Sequence, residues 1–130
     1  IIEAGKFHKF GRSKITTAKS SLVPAGVDVV GMDGSPMLIV RDKSGTILED
    51  FEIDSRRVVI PSTGVPVIRH RARLDEWSVR FQIEIDNEVF TPDIVRLLVD
   101  DAGKKIGVGD FRPQRKGRYG KFVVTEWAEG

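Results

Sequence analysis

EWSVRFQIEIDNEVFTPDIVRLLVDDAGKKIG, residues 76–107, decides the fold class. From Glu76 to Asp86, Trp77, Val79, Phe81, Ile83 and Ile85 alternate with Glu76, Ser78, Arg80, Gln82 and Glu84, the period of a strand with one buried face. The period then changes. Thr91 suits a helix N-cap, Pro92 the first helical position, and Asp93 the positive end of the helix dipole. Ile94, Val95, Leu98, Val99, Ala102 and Ile106 form a helical apolar stripe. Gly107 is placed to end it, and Gly103 marks either an earlier end or a close packing contact.

Outward from this core, residues 121–127 read as a closing strand with Phe122, Val124 and Glu126 on one face, giving a β-α-β unit. Upstream, residues 1–14 suggest a weak helix, and residues 20–31 an extended segment broken at Pro24-Ala25-Gly26. PMLIVRD (36–42) and TILEDFEID (46–54) suggest a hairpin about Lys43-Ser44-Gly45, with Ile47, Phe51 and Ile53 on one face. A further short strand, 56–60, ends at Pro61-Ser62-Thr63-Gly64. Together these predict a single α+β domain over residues 1–130: a ferredoxin-like antiparallel sheet with helices on one face and an extra β-hairpin. The opening Ile1-Ile2-Glu3-Ala4-Gly5 reads like the middle of a helix, so a fragment or processed product of a longer chain is expected.

Composition narrows the chemistry. The 130 residues are 40% hydrophobic and 31% charged, as in globular proteins, with no cysteine and hence no disulfide, thiolate metal site or cysteine nucleophile. No apolar run approaches the roughly 18 residues of a membrane span, and no signal-peptide pattern is visible. The charge is uneven. The net charge of the chain is +2, yet KKIGVGDFRPQRKGRYGK (104–121) alone carries seven basic residues against Asp110, a local +6, with four glycines and two aromatics. Such a loop suits phosphate oxygens, and its aromatics suit stacked bases. Lys104, Lys105, Arg112, Arg115, Lys116, Arg118 and Lys121 are the expected phosphate contacts, aided by glycine N–H groups, and Phe111 or Tyr119 the stacking ring. The plainer reading is a solvated loop that keeps a sheet edge soluble. The pattern is neither a Walker loop nor a dinucleotide-binding turn.

Two other basic stretches accompany it. In VIRHRAR (67–73), Arg69, Arg71 and Arg73 fall on one side of an extended chain, either a track for a nucleic-acid backbone or a charge-protected edge strand. Lys6, Lys9, Arg12 and Lys14 extend the same surface or form the wet side of a helix. His8 and His70 are the only groups suited to proton transfer near neutral pH, and no acid pair is spaced as a metal or acid/base dyad. No catalytic residue, metal or cofactor is assigned.

Residues 69–127 resemble a group of uncharacterised phage and prophage proteins. The shared features are the basic strand, Asp75-Glu76-Trp77, the helix, and the run Ala102-Gly103, Ile106-Gly107, Gly109-Asp110, Arg112-Pro113, then Gly117, Gly120 and Phe122. Residues 1–23 resemble a segment that lies well inside that group's chains. More distantly, the arrangement is similar to the RAMP superfamily of CRISPR-associated RNA-binding proteins. That resemblance implies an RRM- or RAMP-like fold, binding of RNA or single-stranded DNA by the loop, and assembly of copies along the strand, hence homo-oligomers. A phage origin implies the cytoplasm of a bacterial host, and the lack of a long apolar run leaves no membrane partner expected. Cleaving RAMP members use a histidine-based site, and neither His8 nor His70 matches it. The sequence therefore reads as a non-catalytic nucleic-acid-binding protein. Beside it stand a protein-interaction or assembly module docking on an acidic partner, and a metal-independent ribonuclease.

Overall fold

The computed structural model describes residues 1–130. The protein is α+β, with small antiparallel sheets and few helices. The strands pair two by two: β1 (Lys9–Phe10) with β2 (Ser13–Lys14), β3 (Val27–Gly31) with β8 (Phe81–Ile85), β4 (Val40–Arg41) with β7 (Ser78–Val79), and β5 (Glu52–Val59) with β6 (Pro66–Arg73). The chain divides into two compact units, one of Ile1–Val29 with Ile83–Gly130, the other of Val30–Gln82.

The first unit is built around the expected helix. Helix α2 (Pro92–Asp101) begins where the sequence places it, and the Thr91 hydroxyl accepts the Ile94 N–H at 3.4 Å. A π-turn, Ala102–Ile106, continues it until Gly107, whose φ of +74° ends the helix. Val95, Leu98, Val99 and Ala102 are buried with Ala4, Ile15, Val23 and Phe90, and Ile94 and Ile106 pack against them. Gly103 is a close packing contact: a Cβ there would collide with the Phe122 carbonyl, and the Phe122 N–H donates to the Gly103 carbonyl at 3.2 Å. Ahead of the helix, residues 1–14 form a 3-10 turn (Ile2–Phe7) and a tight β1–β2 ladder in place of one weak helix. Val23–Gly26 makes a single helical turn, α1, before β3.

The closing strand is not formed. Residues 121–127 join no ladder. Phe122 and Val124 do face inward as expected, but the third inward residue is Trp127 and Glu126 is exposed. The segment lies over the helix, held by the Phe122–Gly103 hydrogen bond. Its apolar side chains find the helix surface before its backbone finds an edge strand.

The expected 76–86 strand keeps its alternation but breaks at Arg80, so that Ser78–Val79 and Phe81–Ile85 belong to different ladders. In the second unit the 43–45 turn closes as expected, with the Asp42 N–H on the Thr46 carbonyl at 2.8 Å. The expected 36–42 and 46–54 hairpin pairs only next to its turn, where Arg41 bridges Ile47 and the Leu48 N–H donates to the Val40 carbonyl at 3.1 Å; the long hairpin is β5 with β6. The 56–60 strand thus extends back to Glu52, and Ile53 is part of it. No apolar side chain of this unit is buried, and Met32, Met37, Ile39, Ile47, Phe51, Ile53 and Ile68 are exposed.

Candidate nucleic-acid interface

The basic loop leaves the π-turn and doubles back on itself. Val108 N–H donates to the Gly120 carbonyl at 2.9 Å, Tyr119 N–H to the Phe111 carbonyl at 3.0 Å, and Gly117 N–H to the Arg112 carbonyl at 2.9 Å. Between these ties Pro113–Arg115 makes one 3-10 turn, which Lys116 ends in the left-handed region at φ 62°. The loop therefore has a braced backbone.

This brace changes the role of the glycines. The sequence suggests bare N–H groups for phosphate, but Gly107 and Gly117 both spend theirs inside the protein, on Ala102 and Arg112. Gly117 and Gly120 let two backbones touch: a Cβ at either would run into the carbonyl of Phe111 or Val108. They shape the loop, and its side chains are left to meet a ligand.

Lys104, Arg115, Lys116, Arg118 and Lys121 are exposed, and none of them forms an ion pair with a carboxylate. Arg112 is different. Its guanidinium is spent on the Gln114 side chain (2.9 Å) and the Gly109 carbonyl (2.8 Å), so it braces the turn. Phe111 and Tyr119 stack on each other at 5.7 Å between centroids, tilted by 58°, and Tyr119 remains half exposed. The pair forms an aromatic step beside the cations.

Lys105 anchors the base of the loop. Its ammonium lies 3.1 Å from Asp101 and 4.3 Å from the Phe7 ring centroid. Asp101 also receives His8 Nε2 at 2.6 Å. Burial raises the Asp101 carboxyl pKa, but hydrogen bonds from Lys105 and His8 and their charges outweigh it and hold the group below its usual value. No sequence signal announces this cluster, because His8 and Asp101 are 93 residues apart. Two residues on from His8, Phe10 meets Phe90 edge-on at 5.9 Å. Lys9 and Lys14 face each other across β1–β2, exposed, while Lys6 pairs with Glu3.

A carboxyl depressed by folding stabilises the native state above its unfolded pKa, and that contribution disappears as pH falls through the folded value. Asp101→Asn is therefore expected to lower Tm near neutral pH and to flatten the decline in Tm below about pH 4. Thermal melts at two pH values check this; an unchanged acid decline would remove Asp101 from the account.

Arg69, Arg71 and Arg73 belong to the other unit and pair across the ladder with β5, which carries two acids, Glu52 and Asp54, and two arginines, Arg56 and Arg57. Arg71 stands opposite Asp54, Arg73 opposite Glu52, and Arg73 also bonds Asp75 at 2.8 Å. Two of the three thus stand opposite a carboxylate, and Arg69 stands opposite Arg56. His70 bonds the Ser55 hydroxyl at 2.7 Å. No group of three His, Asp or Glu side chains is placed to hold a metal, and no helix is long and apolar enough to cross a membrane. No family model, curated protein or solved structure matches the chain.

Proposed function

We propose that this protein binds RNA or single-stranded DNA through the sugar-phosphate backbone, without cutting it, by the loop 104–121. The observation that carries the proposal is a braced loop on which Arg115, Lys116, Arg118 and Lys121 extend into solvent with no carboxylate partner, next to the Phe111–Tyr119 step. Cations fixed near one another without internal partners lose little on meeting phosphates and release counterions when they do. A half-exposed ring beside them offers any base a π-face, which is sequence-tolerant. Lys104 extends the same basic stretch, while Lys105 and Arg112 hold its shape. The kinship with phage proteins and the RAMP superfamily, the ferredoxin-like arrangement and the bacterial cytoplasm belong to this proposal. They rest on the residue pattern 69–127 and the strand–helix order 81–101.

The test is a titration of a short labelled oligouridylate across a salt series. Log affinity should fall with log salt at about −0.7 per phosphate contacted. In Arg115→Ala/Lys116→Ala/Arg118→Ala the slope should flatten by about 2, three contacts at that increment, with Tm unchanged. Equal affinity and slope in parent and variant would overturn the reading and leave the loop to an acidic protein partner.

A further inference from the structure

Strands β5 and β6 form a ribbon of eight paired positions, Glu52↔Arg73 to Val59↔Pro66, about 26 Å long at ~3.3 Å per residue. The tip closes through Ile60 N–H to the Val65 carbonyl at 3.0 Å and Gly64 N–H to the Ile60 carbonyl at 2.8 Å. Neither outer edge pairs with another strand. A two-stranded ribbon without a covered face is marginal in water, so its sequence is expected to serve something beyond its own stability.

Charge is sorted along its length. At the base, Glu52 and Asp54 oppose Arg73 and Arg71, and Arg56 turns back onto Asp54 at 2.8 Å. Past Asp54 no acid occurs until Asp75. Arg57 and Arg69 meet no carboxylate, and the register places them on opposite faces, Arg69 across from Arg56 and Arg57 across from Ile68. Beyond them lie eleven uncharged residues, Val58 to Ile68, with Val59 58% and Ile68 68% exposed. All five cations of the ribbon are arginines, although the chain also uses lysine freely.

A second copy of this ribbon would bring like charge to like, since each carries five arginines against two acids. A flat anionic surface would meet one face and leave the other guanidinium outside. A groove walled by phosphates on both sides satisfies both faces at once. The major groove of duplex DNA, about 12 Å wide, admits a two-stranded ribbon, and the arginine fork suits both phosphate and the guanine edge. Exposed Val and Ile side chains then have thymine methyl groups to contact. We propose that Glu52–Arg73 is a second nucleic-acid element, an arm that enters the major groove of a duplex. It stands apart from the single-strand binding assigned to the loop.

The experiment titrates the full chain with a labelled mixed-sequence DNA duplex and, separately, with the oligouridylate. Arg57→Ala/Arg69→Ala should weaken duplex binding by about tenfold or more at low salt. The duplex salt slope should flatten by about 2, at roughly 0.9 per contact, with single-strand affinity unchanged. Arg57→Lys/Arg69→Lys should keep the slope and lose preference for a G·C-rich over an A·T duplex. Because the alanine pair reads the arm and the loop variant reads the loop, either assignment can fail without the other. Unchanged duplex affinity and slope in the alanine pair overturn the proposal. So does parent binding to phosphatidylglycerol vesicles that the alanine pair loses while duplex binding stays the same.

Discussion

Gly120→Ala should destabilise the protein by about 2–4 kcal/mol and weaken oligonucleotide binding with it. Gly120 has φ +82°, a left-handed conformation that costs an alanine about 1–2 kcal/mol. The added methyl would also run into the Val108 carbonyl, and backbone cannot swing aside as a long side chain can. Relief requires the two limbs of the loop to part. That breaks the Val108–Gly120 hydrogen bond and threatens the neighbouring one from Tyr119 to Phe111. The cations would then hang from a loose segment and pay ordering entropy on binding, about 0.5–1.5 kcal/mol for each side chain fixed. Differential scanning calorimetry and the salt-series titration, run on the same sample, read both effects. A variant that melts and binds like the parent would show that the limbs are not closed by this contact.

Phe90→Ala is the second large effect, with an expected loss of about 3–5 kcal/mol, against a total of roughly 5–15 kcal/mol for a typical protein. Phe90 is 1% exposed at the turn into helix α2, edge-on to Phe10. Its ring packs so closely on Gly26 that a Cβ there would lie 2.6 Å from Phe90 Cδ2. Small neighbours of this kind leave a truncated site little to collapse with, so the cavity persists and the cost stays near the top of the range. The two tryptophans report on different parts: Trp127 packs against the buried cluster of the first unit, and Trp77 belongs to the second. In a Trp77→Phe background the unfolding transition seen by Trp127 should move to markedly lower denaturant when Phe90 is truncated. A shift below about 1 kcal/mol would mean that the cluster does not depend on this ring.

Helix α2 was legible in the sequence because everything that makes it is local: a cap, a proline, a first-turn acid and a 3.6-residue stripe, all within sixteen positions. The same holds for the alternation of 77–85 and the turns at 43–45 and 61–64, whose hydrogen bonds span only a few residues. The misread parts depend on distant partners. Whether 121–127 pairs with an edge or lies on a helix turns on what else is nearby, and periodicity cannot say. The register that sets Asp54 against Arg71 comes from a ladder between strands that look alike on either side of their turn. In the loop, charge was readable and function could be proposed from it, but glycine was ambiguous. The residue that exposes an N–H is also the one that lets two carbonyl-bearing chains touch, and only geometry chooses between them. The tie of His8 to Asp101 left no trace in sequence at all.

Residues 30–82 depart from β3 and return on β8, two strands that are hydrogen-bonded neighbours. The hydrophobic nucleus of the first unit takes none of its buried side chains from these residues. Selection can lengthen, trim or recharge residues 30–82 without emptying a buried position of that nucleus. The β5–β6 hairpin is therefore free to vary in length and charge, while the cluster around helix α2 is held to its packing.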